Sequence, residues 1–375
     1  MSSPRILVAD DQTDILQALR LLLTDAGFET DLVSSVDAVL DQIRRQPYDL
    51  VLMDLNYTRD TTSGREGLDL LDRVRERDNA VPIVVMTGWG SIDTAVEAMR
   101  RGARSFVQKP WDDTTLVEVV RREVEEGLAT RRRDAKQARE QEDARLIQRA
   151  LLPSAMPEVR GCTLAARWTP ASGIGGDCYD VIRFSDTRVA MSIADVVGKG
   201  LPAALLMSNL QAAVRAFATA QVEPHDLCAS VNRLLCRNIS SGKFVTFCYA
   251  VVDTAAHRIG YANAGHFPPI LVHRTGKVDR LPPTGLVLGI ASDWTYTSGQ
   301  VPTTSGDRLV CFTDGITEAL SPEGDEFGDD RLVDLIRAHR AESADALATT
   351  LADAVVSWTG GSAQDDATLI VVSVD

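Results

Sequence analysis

Between residue 5 and about residue 127, short apolar runs alternate with amphipathic stretches. RILVAD gives way to helical spacing over 15–23, ETDLVS to 36–43, DLVLMD to 68–74, PIVVMT to 92–99 and SFVQKP to 116–124. The runs are apolar at almost every position, not at every second one. A strand of that kind is covered on both faces, so five strand-then-helix repeats predict a doubly wound α/β domain on a parallel sheet.

Residues 114–152 hold no proline and a single glycine, Gly127, and the stretch ends at Pro153. Over REVEEGLATRRRDAKQAREQEDAR both charge signs interleave at helical spacing, which predicts an exposed helical linker over 128–157. Its apolar positions are thin in the middle, mostly alanine, so a homodimer through this helix is the weaker of its two readings. Beyond Pro157 the pattern changes to strand-like segments: CTLAARW, RVAMSIAD, KFVTFCYAVVD, RLVCFTD and ATLIVVSVD. Helical stretches at 203–220, 227–238 and 331–339 stand among them. That grouping predicts an α+β sandwich built on antiparallel sheets. The expected organisation is therefore multidomain: a first domain over 1–127, the linker over 128–157, and a second domain over 158–375.

Composition narrows the function. The formal net charge of −14 leaves no basic face for a phosphate backbone, which argues against a nucleic-acid partner. All six cysteines lie between Cys162 and Cys311, without CxxC spacing, and read as reduced core thiols. The opening MSSPRILVADD turns acidic at once and no apolar run approaches a membrane span, so the expectation is a cytoplasmic protein with no membrane partner.

In an open parallel sheet, reactive groups belong at the carboxyl ends of the strands. Asp10 and Asp11 end the first strand, Asp54 the third and Thr87 the fourth, while Lys109 follows the fifth. Any one of these aspartates alone reads as a solvated residue or a helix cap; the five-part register does not. Three converging carboxylates need a hard cation, and oxygen ligands suit magnesium. Asp54 is then a candidate nucleophile for phosphoryl transfer, with Lys109 and Thr87 holding the transferred group. These residues, with Phe106 and Pro110, resemble the receiver (CheY-like) family of response regulators. The resemblance implies phosphorylation of Asp54 by a sensor histidine kinase. Asp10 and Asp11 would form the acidic pair at the Mg2+ site, Asp11 and Asp54 ligating the ion directly and Asn56 through its carbonyl, while Thr87 and Phe106 form the switch pair. The insert NYTRDTTSGREG after the acceptor departs from the family.

Four acidic motifs stand at strand boundaries of the second domain: GIGGDCYD, SIADVVGKG, CFTDGITEA and AQDDATLIVV. Carboxylates buried at strand ends are costly unless paired or metal-bound. Two divalent ions about 3.5–4 Å apart activate a water for attack on phosphorus without any covalent enzyme nucleophile. With IQRALLP and NAGHFPP in the same order, these motifs resemble the PPM (type 2C) serine/threonine phosphatases, in particular the SpoIIE/RsbU-like branch. The resemblance implies two Mn2+ or Mg2+ ions bridged by Asp195, with the Val196 carbonyl, Asp177, Asp314 and Asp365 as ligands and Asp366 as the neighbour interchangeable with Asp365. It also implies a phosphorylated anti-sigma-factor antagonist of the STAS type as substrate. His266 is a secondary candidate for substrate contact, and Lys199 reads equally as a solvated loop charge. Residues 148–152 are a candidate switch helix through which the first domain controls the second.

Two other functions compete. A non-catalytic scaffold with a phosphatase-like domain would not need the intact acidic set. A diguanylate cyclase would explain GGD but leaves FTDG and DDATL without purpose and lacks the Glu-Phe completion.

Overall fold

The computed structural model describes residues 3–57, 65–88, 92–171, 173–239, 242–361 and 364–375. Most of the NYTRDTTSGREG insert, residues 58–64, therefore lies outside the described residues. The chain divides into two compact units, Met1–Arg139 and Glu140–Asp375.

The first unit holds strands β1 (Arg5–Ala9), β2 (Glu29–Val33), β3 (Leu50–Asp54), β4 (Ile83–Thr87) and β5 (Ser105–Gln108). They alternate with helices α1 (Thr13–Asp25), α2 (Val36–Arg45), α3 (Arg65–Arg77), α4 (Ile92–Arg100) and α5 (Asp113–Leu151). The strands pair in parallel in the order β2-β1-β3-β4-β5. Successive side chains of a strand point to opposite faces, and here both faces are covered. Leu7, Val51, Met53 and Val85 pack with Val39, Leu68 and Leu71 of α2 and α3. Ile6, Val8, Leu52 and Met86 pack with Leu19 of α1 and Leu116, Val120 and Val124 of α5. The near-continuous apolarity of the strands has this cause. Helix α5 runs on past the division at Arg139, and every residue from 132 to 143 is exposed.

The second unit holds two antiparallel sheets. One orders β13 (Gly299–Pro302), β10 (Arg258–Ala264), β9 (Val245–Asp253), β8 (Arg188–Val196) and β7 (Cys178–Arg183). The other orders β12 (Val278–Arg280), β11 (Ile270–Val272), β14 (Arg308–Phe312), β15 (Ala367–Val374) and β6 (Cys162–Thr169). Alternation along single strands shows the layering. Leu309 and Cys311 of β14, with Ile370 and Val372 of β15, face the first sheet in one core that also takes in Met207, Leu210, Val231 and Leu235 of α6 (Leu201–Phe217) and α7 (Pro224–Asn238). Val310, Phe312, Leu369 and Val371 face the other way, onto Leu332 and Ile336 of α9 (Asp329–Ala338) and Leu347 and Leu351 of α10 (Ala344–Trp358). The result is a helix–sheet–sheet–helix sandwich, with the one-turn α8 (Asp314–Thr317) directly after β14.

All six cysteines are free thiols, five of them buried. Among the described residues, no helix is long and apolar enough to cross a membrane.

Candidate metal centres

At the carboxyl edge of the first sheet, Asp10, Asp11 and Asp54 each offer an oxygen within 4.8 Å of the other two. Lys109 Nζ donates to Asp10 Oδ2 at 2.6 Å and to Asp54 Oδ2 at 2.9 Å. The remaining oxygens are held by backbone: Gln12 N–H reaches Asp10 Oδ1 at 2.9 Å and Leu55 N–H reaches Asp54 Oδ1 at 2.9 Å. Burial pushes the Asp54 carboxyl above its ordinary value, against the pull of Lys109. Three carboxylates against one ammonium leave two negative charges, which a hard divalent cation with oxygen ligands matches. Thr87 is buried beside this edge, Asn56 is half-buried just past Asp54, and Phe106 on β5 is 47% exposed. Tyr57 escaped the sequence reading: it is buried, its hydroxyl has no hydrogen-bond partner among the described residues, and the three aspartates and Glu66 add to burial in raising its pKa.

In the second unit both sheets deliver acids to one place. Asp195 lies one residue before the end of β8, opposite Thr246 of β9. Asp177 immediately precedes β7, Asp314 opens α8, and Asp365 and Asp366 precede β15. Burial, then the charges of Asp314, Asp365 and Asp366, push Asp195 up to about 7; the Thr246 hydroxyl donates to its backbone carbonyl at 3.5 Å, not to its carboxylate. Burial likewise raises Asp314, helped by Asp365, and holds Asp177 well above the carboxylate range, helped by Asp195. These groups crowd one another and lack positive charge. Lys199 is the nearby cation, 2.9 Å from Asp365 Oδ2. Among the described residues, no three of these acids approach as closely as the trio of the first unit. The donor set is all oxygen and underneutralised, which fits Mg2+ or Mn2+.

The two acids of AQDDATLIVV differ in environment. Asp366 accepts from the Ala171 N–H at 2.9 Å and the Gly176 N–H at 2.6 Å, so both its oxygens clamp the loop before Asp177. Asp365 keeps its carboxylate on the side of Asp314 and Lys199. Asp366 is thus a brace for the loop, whereas Asp365 is solvent-exposed, its Oδ1 accepting from the Asp366 N–H at 2.9 Å and its Oδ2 facing Lys199. The same clamp explains Gly175 and Gly176. Neither has a positive φ. A Cβ on Gly175 would instead run into the Asp366 carboxylate, and one on Gly176 would lie 2.8 Å from the Val196 carbonyl oxygen. Gly198 and Gly200 do need positive φ, 105° and 74°, to turn the chain into α6.

Sequence reasoning missed two hydroxyls. Thr313 Oγ1 and Thr368 Oγ1 donate to Asp177 Oδ2 at 2.7 and 2.5 Å. Their adjacency to Asp314 and Asp366 was the available signal. Gln148, the first residue of the candidate switch segment 148–152, is buried: its Nε2 donates to the Gly175 carbonyl at 2.6 Å and its Oε1 accepts from the Gly175 N–H at 3.1 Å. His266 is 2% exposed and cannot meet a substrate. Its Nδ1 lies 2.8 Å from Thr246 Oγ1, and burial lowers its pKa to about 4. Asp180 pairs with Arg215 of α6 at 2.7 and 2.9 Å, a structural tie.

Residues 6–121 match the response regulator receiver domain, and residues 185–375 match the family described as Stage II sporulation protein E (SpoIIE). Phosphoserine phosphatase RsbU of Bacillus subtilis is 32% identical over 227 residues, 60% of this chain and 67% of that one. Protein IcfG of Synechocystis sp. is 29% identical over 262 residues, 62% of this chain but only 41% of its own length. The solved SiaA-PP2C domain of Pseudomonas aeruginosa superposes on 64% of this chain and 98% of its own with a TM-score of 0.57 at 22% identity, which shows a shared fold. The chain belongs to the SpoIIE family of PP2C-like protein serine/threonine phosphatases, here joined to an N-terminal response-regulator receiver domain.

Proposed function

We propose that the protein is a response regulator in which phosphorylation of Asp54 by a sensor histidine kinase controls metal-dependent removal of phosphate from serine or threonine of a partner protein. The observation that carries the phosphatase reading is Asp195: a half-buried carboxylate at the end of β8 on which the charges of Asp314, Asp365 and Asp366 converge, pushing it up to about 7. Asp195, Asp177, Asp314 and Asp365, with the Val196 carbonyl, are the groups that would hold the two ions. Manganese or magnesium, when bound, neutralises the phosphate and supplies an activated water. Thr313 and Thr368 fix Asp177, and Asp366 fixes the loop that presents it. In the receiver, Asp10, Asp11, Asp54 and the Asn56 carbonyl hold Mg2+, Lys109 steadies the phosphoryl oxygens, and Thr87 and Phe106 report the modification.

The substrate class follows from the relative named for phosphoserine hydrolysis. An anti-sigma-factor antagonist of the STAS type is the protein partner we assign. The exposed stretch of α5 is the surface for pairing with a second copy, and the cytoplasm is the compartment.

The test is phosphate release from phosphoserine peptides by the full chain. It should require Mn2+ or Mg2+ and vanish in Asp195→Asn. Identical turnover by Asp54→Ala and by beryllofluoride-treated wild type would remove receiver control while leaving the hydrolase intact. Absence of any metal-dependent release would favour a binding scaffold, and a cyclic product from GTP would favour a nucleotide cyclase.

A further inference from the structure

Beside the second-domain carboxylates lies a cleft of about 310 Å³ between α8, α10 and strands β6 and β15. Asp314, Asp365 and Lys199 are among the residues that line it. Its floor is apolar, made by Ile316, Ala319, Val355 and Leu369, all anchored in the core that α10 shares with the second sheet. Val356 lines the wall with 51% of its surface exposed. A phosphate group needs only the carboxylates. A fixed apolar trough continuing from them is surface that an external side chain can cover favourably.

We propose that this cleft is the specificity pocket for an apolar side chain flanking the phosphorylated residue of the substrate protein. The proposal rests on the hydrolase reading and names what that site selects. Continuity identifies the occupant: Asp314 and Asp365 belong to the metal centre and also line the cleft. A chain that presents phosphoserine to the carboxylates, extended at ~3.4 Å per residue, lays its neighbours across the trough. Charge excludes an acidic neighbour. Glu318 lines the cleft beside Asp314, while the guanidinium of Arg167, the other lining cation, is already held by Asp345 Oδ1 at 2.9 Å and Thr349 Oγ1 at 2.6 Å. Lys199 is engaged by Asp365. An incoming carboxylate finds no unengaged cation among these residues; an apolar group loses nothing and gains burial.

The experiment uses the full-length protein with Mn2+ and three probes: a phosphoserine peptide flanked by Leu, the same peptide flanked by Glu, and p-nitrophenyl phosphate, which carries no flanking residue. The wild type should prefer the Leu peptide by about tenfold or more in kcat/KM, the discrimination an apolar pocket supplies. Val356→Glu, at an exposed position, and Ala352→Leu, which fills the trough, should each remove that preference through KM. Turnover of p-nitrophenyl phosphate and the melting temperature should stay at wild-type values. A wild type that hydrolyses p-nitrophenyl phosphate yet treats both peptides alike overturns the pocket and spares the hydrolase. Variants that remain folded but lose p-nitrophenyl phosphate turnover also overturn it, because the cleft would then be shaping the carboxylates. A wild type inactive on all three probes sinks the hydrolase reading itself.

Discussion

The side-chain amide of Gln148 closes a reciprocal pair of hydrogen bonds on the backbone of Gly175, at 2.6 Å to the carbonyl and 3.1 Å from the N–H. Gly175 adjoins the loop that Asp366 clamps ahead of Asp177, so the end of α5 holds the approach to the metal ligands. Gln148→Ala leaves both Gly175 groups buried without partners, at a cost of about 1–3 kcal/mol each unless water enters. The expected outcome is a half-saturating Mn2+ concentration raised about tenfold, with the receiver melting transition unchanged. Metal titration of phosphatase activity, with calorimetry on the same samples, checks it.

Asp195 sets a pH dependence. Its folded value of about 7 stands above its ordinary 3.8, so ionisation in the folded state costs stability. That cost is absent below the ordinary value and complete above the folded one. In a chelator, the second domain should therefore lose melting temperature as pH rises from about 5 to about 8. Manganese should restore more at the upper end of that range. Below pH 7, displacing the proton makes metal affinity rise about tenfold per pH unit. Asp195→Asn should flatten both trends, as measured by calorimetric titration across that range.

His266 predicts the opposite slope. Burial lowers its pKa from 6.5 to about 4, so it is neutral at pH 7, and the fold must give up stability as acid charges it between those values. Replacing it by Leu removes that acid sensitivity and one of the two partners of the Thr246 hydroxyl, which keeps the Asp195 carbonyl at 3.5 Å, so the lost hydrogen bond costs about 1 kcal/mol. Because the ring does not reach the surface, the KM for p-nitrophenyl phosphate should not change. A raised KM in a variant that still melts cooperatively would contradict this placement.

Lys109 gives the receiver test. Its ammonium offsets part of the charge on Asp10 and Asp54. Lys109→Met should tighten Mg2+ binding about tenfold, because three carboxylates then face the ion without a competing cation. Phosphorylation by acetyl phosphate should fall by about tenfold or more, since the phosphoryl oxygens lose their ammonium partner. Fluorescence titration with Mg2+ and radiolabel incorporation separate the two effects.

The receiver strands were legible because both faces of the sheet are buried, which writes apolar residues into nearly every position of β1, β3 and β4, while β2 and β5 at the edges are polar and partly exposed. The second domain was less so. GGDCYD reads as an acidic motif, and the strand Cys178–Arg183 that starts within it and runs three residues past it is not among the strand-like segments of the sequence. The three-residue strands Ile270–Val272 and Val278–Arg280 are too short to show a period, and the alanine-rich α10 has a weak apolar stripe. The aspartates themselves could be read from local motifs. The braces could not: Thr313 and Thr368 reach Asp177 across 136 and 191 residues, and the pairing of Gln148 with Gly175 spans 27. Long-range contacts of that kind leave no mark in local pattern. The same holds for the differing environments of Asp365 and Asp366, adjacent in sequence and chemically identical.

Every cysteine of the chain lies between positions 162 and 311, and none lies in the receiver. Five of the six are buried, and burial pushes the Cys162 and Cys248 thiols up to about 11 and about 12, far from the reactive thiolate. The chain thus carries its own domain-selective clock: once the half-buried Cys236 has reacted, the five buried thiols consume a thiol reagent at the rate at which the sandwich opens, while unfolding of the receiver alone leaves no such trace.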